Sequence, residues 1–134
     1  MAIIDSSVYV ALINAYEKEH ARCWSWFEGA KAAEEPIVAP AILLAEVAAA
    51  LSRGVGDLGL AHRVVGQLKR SGMIELLPVT LAVAERAATI AADNRIRGCD
   101  AVYIALADQL GEHLVTLDRQ QLERGAAIVS AHEP

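Results

Sequence analysis

An α/β fold built around a parallel sheet is predicted by three features of this sequence. Short strand-like apolar runs alternate with helical ones from end to end. Capping residues, glycines and prolines punctuate them where one element should give way to the next. No repeat, linker or low-complexity tract interrupts the pattern, and 134 residues suit one domain, here residues 1–134.

The elements follow in order. Ala2 to Ile4 is a short apolar strand, after which Asp5, Ser6 and Ser7 offer caps for a helix over Val8 to Ile13. A second helix covers Ala21 to Ala33, and Pro36 to Ala39 forms the second strand. Pro40 suits the first turn of a third helix, which runs to Arg53 and stops at Gly54. Asp57 caps a fourth helix reaching Arg70, with Ser71 and Gly72 ending it. Met73 to Leu77 is the third strand. Thr80 caps a long amphipathic helix to Ile96, and Gly98 breaks it. Asp100 to Leu110 is helical again and ends at Gly111. His113 to Leu117 reads as strand, Arg119 to Arg124 as a short helix, and Ala127 to Ser130 as the last strand.

With 54% hydrophobic residues the chain has ample material for a core, so disorder is excluded. Charged residues break every apolar run well before it could span a membrane. The N-terminus shows no basic segment and cleavage site of a secretory signal. Cys23 and Cys99 stand apart without a partner motif and read as buried small residues in a reducing cytoplasm. The formal charge of −5 is awkward for a nucleic-acid enzyme. Four of the seventeen acids are singled out below, however, and without them the charge is −1.

Those four are Asp5, Glu46, Asp100 and Asp118. Asp5 directly follows the first strand, and Asp118 ends the strand containing Leu114 to Leu117. Glu46 is the only charge between Pro40 and Leu51 and shares a helical face with Leu43, Val47 and Ala50. Asp100 opens the apolar run Ala101 to Ala107. An unpaired buried carboxylate is costly, so each needs a cation, a donor or a changed protonation state. Taken singly, Asp5, Asp100 and Asp118 also suit helix caps, and Glu46 could pair with Arg95 or Arg97. Taken together they point to one site. In an open parallel sheet, ligands sit beyond the carboxyl ends of the strands where strand order reverses. If the first and fourth strands meet there, Asp5 and Asp118 share a crevice walled by the helices bearing Glu46 and Asp100. Two such carboxylates ~4 Å apart repel by roughly 4 kcal/mol at an effective dielectric near 20. A divalent cation resolves this, and all-oxygen ligation without His or Cys favours Mg²⁺ or Mn²⁺ over zinc.

The ordered set Ile3-Ile4-Asp5-Ser6-Ser7-Val8, Leu44-Ala45-Glu46-Val47, Gly98-Cys99-Asp100 through Ala107, and Val115-Thr116-Leu117-Asp118 resembles the successive motifs of PIN domains, in particular the VapC-type toxins of prokaryotic toxin–antitoxin pairs. The resemblance covers essentially the whole chain. It implies a three-layer fold with a five-stranded parallel sheet in the order 3-2-1-4-5, flanked by helices. It also implies Mg²⁺- or Mn²⁺-dependent cleavage of RNA, a homodimer, and inhibition by a cognate antitoxin. Asp5, Glu46, Asp100 and Asp118 take the family's acidic positions, and Ser7 and Thr116 its hydroxyl positions. Some PIN domains carry a further acid just after the last one, where this chain has Arg119, Gln120 and Gln121.

On this reading Asp5, Asp100 and Asp118 hold the metal, with Glu46 as a further ligand or as orienter of the attacking water. Ser7 fixes a carboxylate or a water, and Thr116 supports Asp118 from behind. Arg95, Arg97 and Arg119 are candidates for phosphate contacts, and equally for solvated helix ends. Other signals carry less. Gly54, Gly56 and Gly59 spell a dinucleotide-type motif, but it follows a helix and not a strand. The four histidines lack ligand spacing. Trp24 and Trp26 point to nearly opposite sides of one helix, so at least one belongs to core or interface, with base stacking a minor role for the other. A receiver-type phosphorylation domain would want an acid ending the third strand and a late lysine; this chain has Leu77-Pro78-Val79 and no such lysine. A PIN fold used only for binding, or one directed at DNA, remains a rival.

Overall fold

The computed structural model describes all residues, 1–134. In chain order the elements are β1 (Ala2–Ile4), α1 (Ser6–Ile13), α2 (His20–Ala32), β2 (Ile37–Pro40), α3 (Leu43–Gly54), α4 (Leu58–Ser71), β3 (Glu75–Leu77), α5 (Leu81–Asn94), α6 (Gly98–Leu110), β4 (His113–Val115), α7 (Arg119–Gly125) and β5 (Ala131–His132). The strands form one sheet in the order β3-β2-β1-β4-β5, parallel throughout. This is the α/β class expected from the sequence and the strand order implied by the resemblance to PIN domains.

β1 owes its central place to composition. Ala2, Ile3 and Ile4 are wholly buried, as a strand covered on both faces requires. It pairs with β2 through Ala2–Ile37 and Ile3–Val38, and with β4 through Ala2–His113, Ile3–Leu114 and Ile4–Val115. The strand order reverses at β1, so a crevice opens beyond the carboxyl ends of β1 and β4. α6 packs against β1, β2 and β4 and also against α5. The inward side of α6 is apolar from Ala101 to Ala107 apart from one phenol, and Tyr103, Ile104 and Ala105 have no exposed surface. The helix that carries Asp100 is thus set directly on the sheet.

Several boundaries differ from the sequence reading: β3 is shorter than Met73 to Leu77, β4 ends before Leu117, and Gly98 opens α6. Three further differences have a local reason. Pro40 closes β2 instead of opening α3. The Ala41 N–H donates to Leu77 O on β3 at 2.7 Å, so by alternation the Pro40 nitrogen faces β1. There the register would oppose it to Asp5, which has already left the sheet, and the missing N–H forfeits no ladder bond. α3 therefore begins at Leu43, which puts Glu46 in its first turn and not mid-helix. The last strand is Ala131–His132, not Ala127–Ser130. Ile128 and Val129 donate to Gly125 O and continue the turn of α7, and Ser130 O is the first acceptor for β4. α5 stops at Asn94, before Ile96, because Arg95 adopts the left-handed conformation.

The cysteines divide. Cys23 is buried as expected, but Cys99 is exposed on the first turn of α6. Trp26 packs against the core, while Trp24 is 45% exposed between His20 and Phe27.

Gly111 ends α6 with φ 68°, and its N–H reaches the carbonyls of Ala107 and Asp108. A side chain there is strained in any surroundings, so Gly111→Ala should cost about 1 kcal/mol in urea denaturation. Gly98→Ala, in open space and without positive φ, should be neutral or stabilising by the same measurement.

Candidate active site

The turn that follows β1 positions the first acid. Asp5 has extended backbone, caps α1 through its carboxylate, and is only 2% exposed. Its Oδ1 accepts from Ser7 Oγ at 2.5 Å and Val8 N at 3.2 Å. Its Oδ2 accepts from Thr116 Oγ1 at 2.6 Å and Gln121 Nε2 at 2.8 Å. Four donors thus meet one carboxylate, about the number an ionised carboxylate can accept.

The same hydroxyls fasten β1 to β4. Ser7 Oγ, besides donating to Asp5, accepts from Leu117 N at 3.0 Å. Thr116 Oγ1, besides donating to Asp5, accepts from Asp118 N at 2.9 Å. Leu117 and Asp118 are thereby drawn out of the ladder towards the crevice, which is why β4 ends at Val115. Asp118 then caps α7, its Oδ1 accepting from Gln120 N at 2.8 Å and Gln121 N at 3.0 Å. Capping was the competing account of Asp5 and Asp118. Both cap, and both still face the crevice.

Asp100 does not cap. It lies in the first turn of α6, 6% exposed, where the helix dipole favours negative charge. Arg97 bridges it to Asp118: Nε donates to Asp100 Oδ2 at 2.6 Å and Nη2 to Asp118 Oδ2 at 3.0 Å. The four acids therefore do have one internal counter-charge. Glu46 pairs with neither Arg95 nor Arg97. Its Oε2 accepts from the buried Tyr103 hydroxyl at 2.5 Å, and burial together with Glu46 drives the phenol pKa upward.

Asp5, Glu46, Asp100 and Asp118 line one open cleft of about 830 Å³, with Arg53 and Arg97 among its walls. Burial raises the Asp5 carboxyl above the usual range despite its donors, and nearby Asp118 pushes the same way. Asp100 is raised by burial while Arg97 opposes. No three of the acids form a ready-made metal cage, since Arg97 and Gln121 link them instead. The donor set nonetheless fits a hard divalent cation: with Glu17 and Glu19 the cleft is lined by six carboxylates against two guanidiniums, Arg53 and Arg97, and neither imidazole nor thiolate accompanies them except exposed Cys99.

Two residues of this cleft, Gln121 and Arg53, and one buried behind it, Tyr103, were not singled out in the sequence. Tyr103 carries the only side-chain hydroxyl in the run Ala101–Ala107, one turn after Asp100. Gln121 lies three residues past Asp118 on the face of α7 that also buries Gly125. Arg53 gives no sequence signal, yet it reaches the cleft and has no acid partner. Of the three arginines that were proposed, Arg97 is at the site; Arg119 pairs with Glu123, and Arg95 supplies a carbonyl to Arg124.

The PIN-domain family model matches residues 2–127. This chain belongs to the PIN-domain family. Among solved structures it is similar to VapC20 of Mycobacterium tuberculosis, described as a sarcin–ricin-loop-cleaving toxin, at TM-score 0.78 and 20% identity over 100% of both chains. A FitA–FitB structure from Neisseria gonorrhoeae matches at 0.74 and 21% identity, covering 100% of this chain and 98% of that one. VapBC2 of Rickettsia felis, bound to a DNA fragment from its promoter, matches at 0.74 and 14% identity over 99% and 98%. No protein of curated description matches the sequence.

Raised carboxyl pKa values fix a sign. A group that binds its proton more tightly folded than unfolded stabilises the fold at low pH, and that contribution is lost as pH rises through the folded value. In EDTA, stability should therefore fall as pH climbs from the ordinary carboxylate range through the raised Asp5 value. Asp5→Asn should flatten that part of the profile, measured by chemical denaturation at a series of pH values.

Proposed function

We propose that this PIN domain, over residues 1–134, is a Mg²⁺- or Mn²⁺-dependent endoribonuclease and the toxin of a toxin–antitoxin pair. The observation that carries the reading is the convergence of Asp5, Asp100 and Asp118 beyond the ends of β1 and β4, with Glu46 in the same cleft. The toxin assignment is supported by the likeness to toxins and toxin–antitoxin complexes over the full length of the chain.

Asp5, Asp100 and Asp118 would hold the cation, with Glu46 as a further oxygen donor. When bound, such an ion makes water a competent nucleophile near neutral pH and stabilises charge on phosphoryl oxygens. The protein's own groups arrange the rest. Ser7 and Thr116 fix the rotamer of Asp5, and Thr116 also fixes the backbone of Asp118. Tyr103 holds Glu46 by one oxygen, which leaves Oε1 free to orient a water or take up a proton. Arg53 and Arg97 place positive charge at the cleft, where the RNA backbone would lie. A cognate antitoxin would inhibit by entering this cleft, and a second copy of the chain would complete a homodimer. The exposed Trp24, Leu58 and Leu81 supply apolar surface for such contacts.

Cleavage of a panel of structured RNAs by the purified chain tests the reading, with EDTA as control. Asp100→Asn keeps the size of the side chain and removes a charge, so cutting should collapse while the fold survives. Asp93→Asn, on the exposed face of α5, should cut like wild type. Equal cutting by Asp100→Asn and wild type would refute the site. Arg53→Ala should weaken binding alike across RNA sequences and lower the slope of log affinity against log salt by about 1, a loss read by titration at several salt concentrations.

A further inference from the structure

Gln121 makes contacts that neither capping nor packing explains. It is 1% exposed, and its Nε2 donates to Asp5 Oδ2 at 2.8 Å and reaches Asp100 Oδ1 at 3.4 Å. Its Oε1 is buried with no hydrogen-bond partner, the only buried side-chain nitrogen or oxygen in the chain so placed. An amide with half its polar groups unmet is a poor choice for filling space. Leucine or methionine would occupy similar volume with no polar atom to desolvate. The carboxylates, and not the surroundings of Oε1, therefore orient this side chain.

The three acids form a triangle with a different link on each side. Thr116 joins Asp5 to the backbone of Asp118, and Arg97 joins Asp118 to Asp100. Asp5 and Asp100 come from β1 and α6, and the only donor touching both is the Gln121 NH₂. One nitrogen with two hydrogens suits that task. A carboxylate at position 121 would repel both acids, and a methionine would leave them untied. Arg97 is 70% exposed, so the Gln121 link is the better shielded of the two that reach Asp100.

We propose that Gln121 is a positioning residue of the metal site, whose side-chain NH₂ holds the Asp5 and Asp100 carboxylates at the separation and orientation in which they take a shared divalent cation. This rests on the metal-dependent reading above. Outer hydrogen bonds that orient metal ligands typically change metal affinity by about 10- to 100-fold when removed. Gln121 acts through the two carboxylates and is not itself a catalytic residue.

The test is Mn²⁺ titration by calorimetry on the purified chain without RNA, comparing wild type with Gln121→Met well below either melting temperature. The variant should remain folded by circular dichroism and bind Mn²⁺ at least about ten-fold more weakly. A folded Gln121→Met with affinity within about two-fold of wild type would assign Gln121 to the fold alone and overturn the proposal. Wild type that binds no Mn²⁺ at millimolar concentration overturns the metal reading and this proposal with it, and the wild-type arm tells the two failures apart. A second measurement needs no variant. In ¹⁵N-labelled wild type the Gln121 side-chain NH₂ signals should be slow to exchange and should shift on adding Mg²⁺. Signals that stay put at saturating Mg²⁺ would also overturn the proposal.

Discussion

The arrangement depends on one buried carboxylate at the point where the sheet changes direction. Asp5 follows three wholly buried residues, so burial of β1 carries it out of water as well. A carboxylate there is tolerable only with donors on every side. Those donors come from α1, from the end of β4 and from α7, three segments that otherwise meet only loosely. Satisfying Asp5 therefore fixes where the end of β4 lies against β1. It also fixes where Asp118 emerges, because Thr116 and Ser7 spend their remaining capacity on the backbone N–H groups of Asp118 and Leu117.

The same constraint spreads outward through charge. A cleft lined by six acids, with Asp5 and Asp100 buried, favours any cation or proton that can reach it. Arg97 answers part of that demand at Asp100 and Asp118, and the raised carboxyl pKa values of Asp5 and Asp100 express the rest. Tyr103 answers it at Glu46 with a neutral donor. This keeps the glutamate held on one side without cancelling its charge. Stability and function pull in opposite directions here. The groups that make the cleft costly to fold are those that would bind a cation.

Much of this was legible in the sequence because burial and charge conflict at named positions. The strand β1 and the apolar run of α6 are unbroken hydrophobic stretches, and an acid at the border of each stands out. Sheet order came from the resemblance to PIN domains, and apolar pattern alone does not encode it. Boundaries failed where tertiary bonds override local preference. Pro40 looked like the start of a helix until the partner opposite its nitrogen was known to have left the sheet. Glu46 looked like a mid-helix charge for the same reason. Gln121 was passed over because an amide carries no charge to betray its burial; only the periodicity that it shares with Gly125 marks the inward face of α7. Arg53 could not be found at all, since a lone arginine near a helix end usually signifies a solvated surface.

The acidity of the protein then ceases to be an objection to an RNA substrate. Its formal charge of −5 includes six acids that line the cleft, Asp5, Glu17, Glu19, Glu46, Asp100 and Asp118, gathered there with Arg53 and Arg97 instead of spread over the surface. Without a bound cation this cleft repels a phosphate backbone, and the side chains of Arg53 and Arg97 are too few to reverse that. With a divalent ion between the carboxylates, the local sign moves towards neutral or positive, and the two arginines gain effect because less negative charge opposes them. Arg97 has the sharper dependence of the two. Its guanidinium is bound to Asp100 and Asp118, and on the proposed reading it would become more available to a phosphate as a cation met that demand. On the proposed reading, metal binding and substrate binding are therefore coupled through a single arginine, and the fold sets that coupling by placing it at the N-cap of α6, three residues ahead of Asp100.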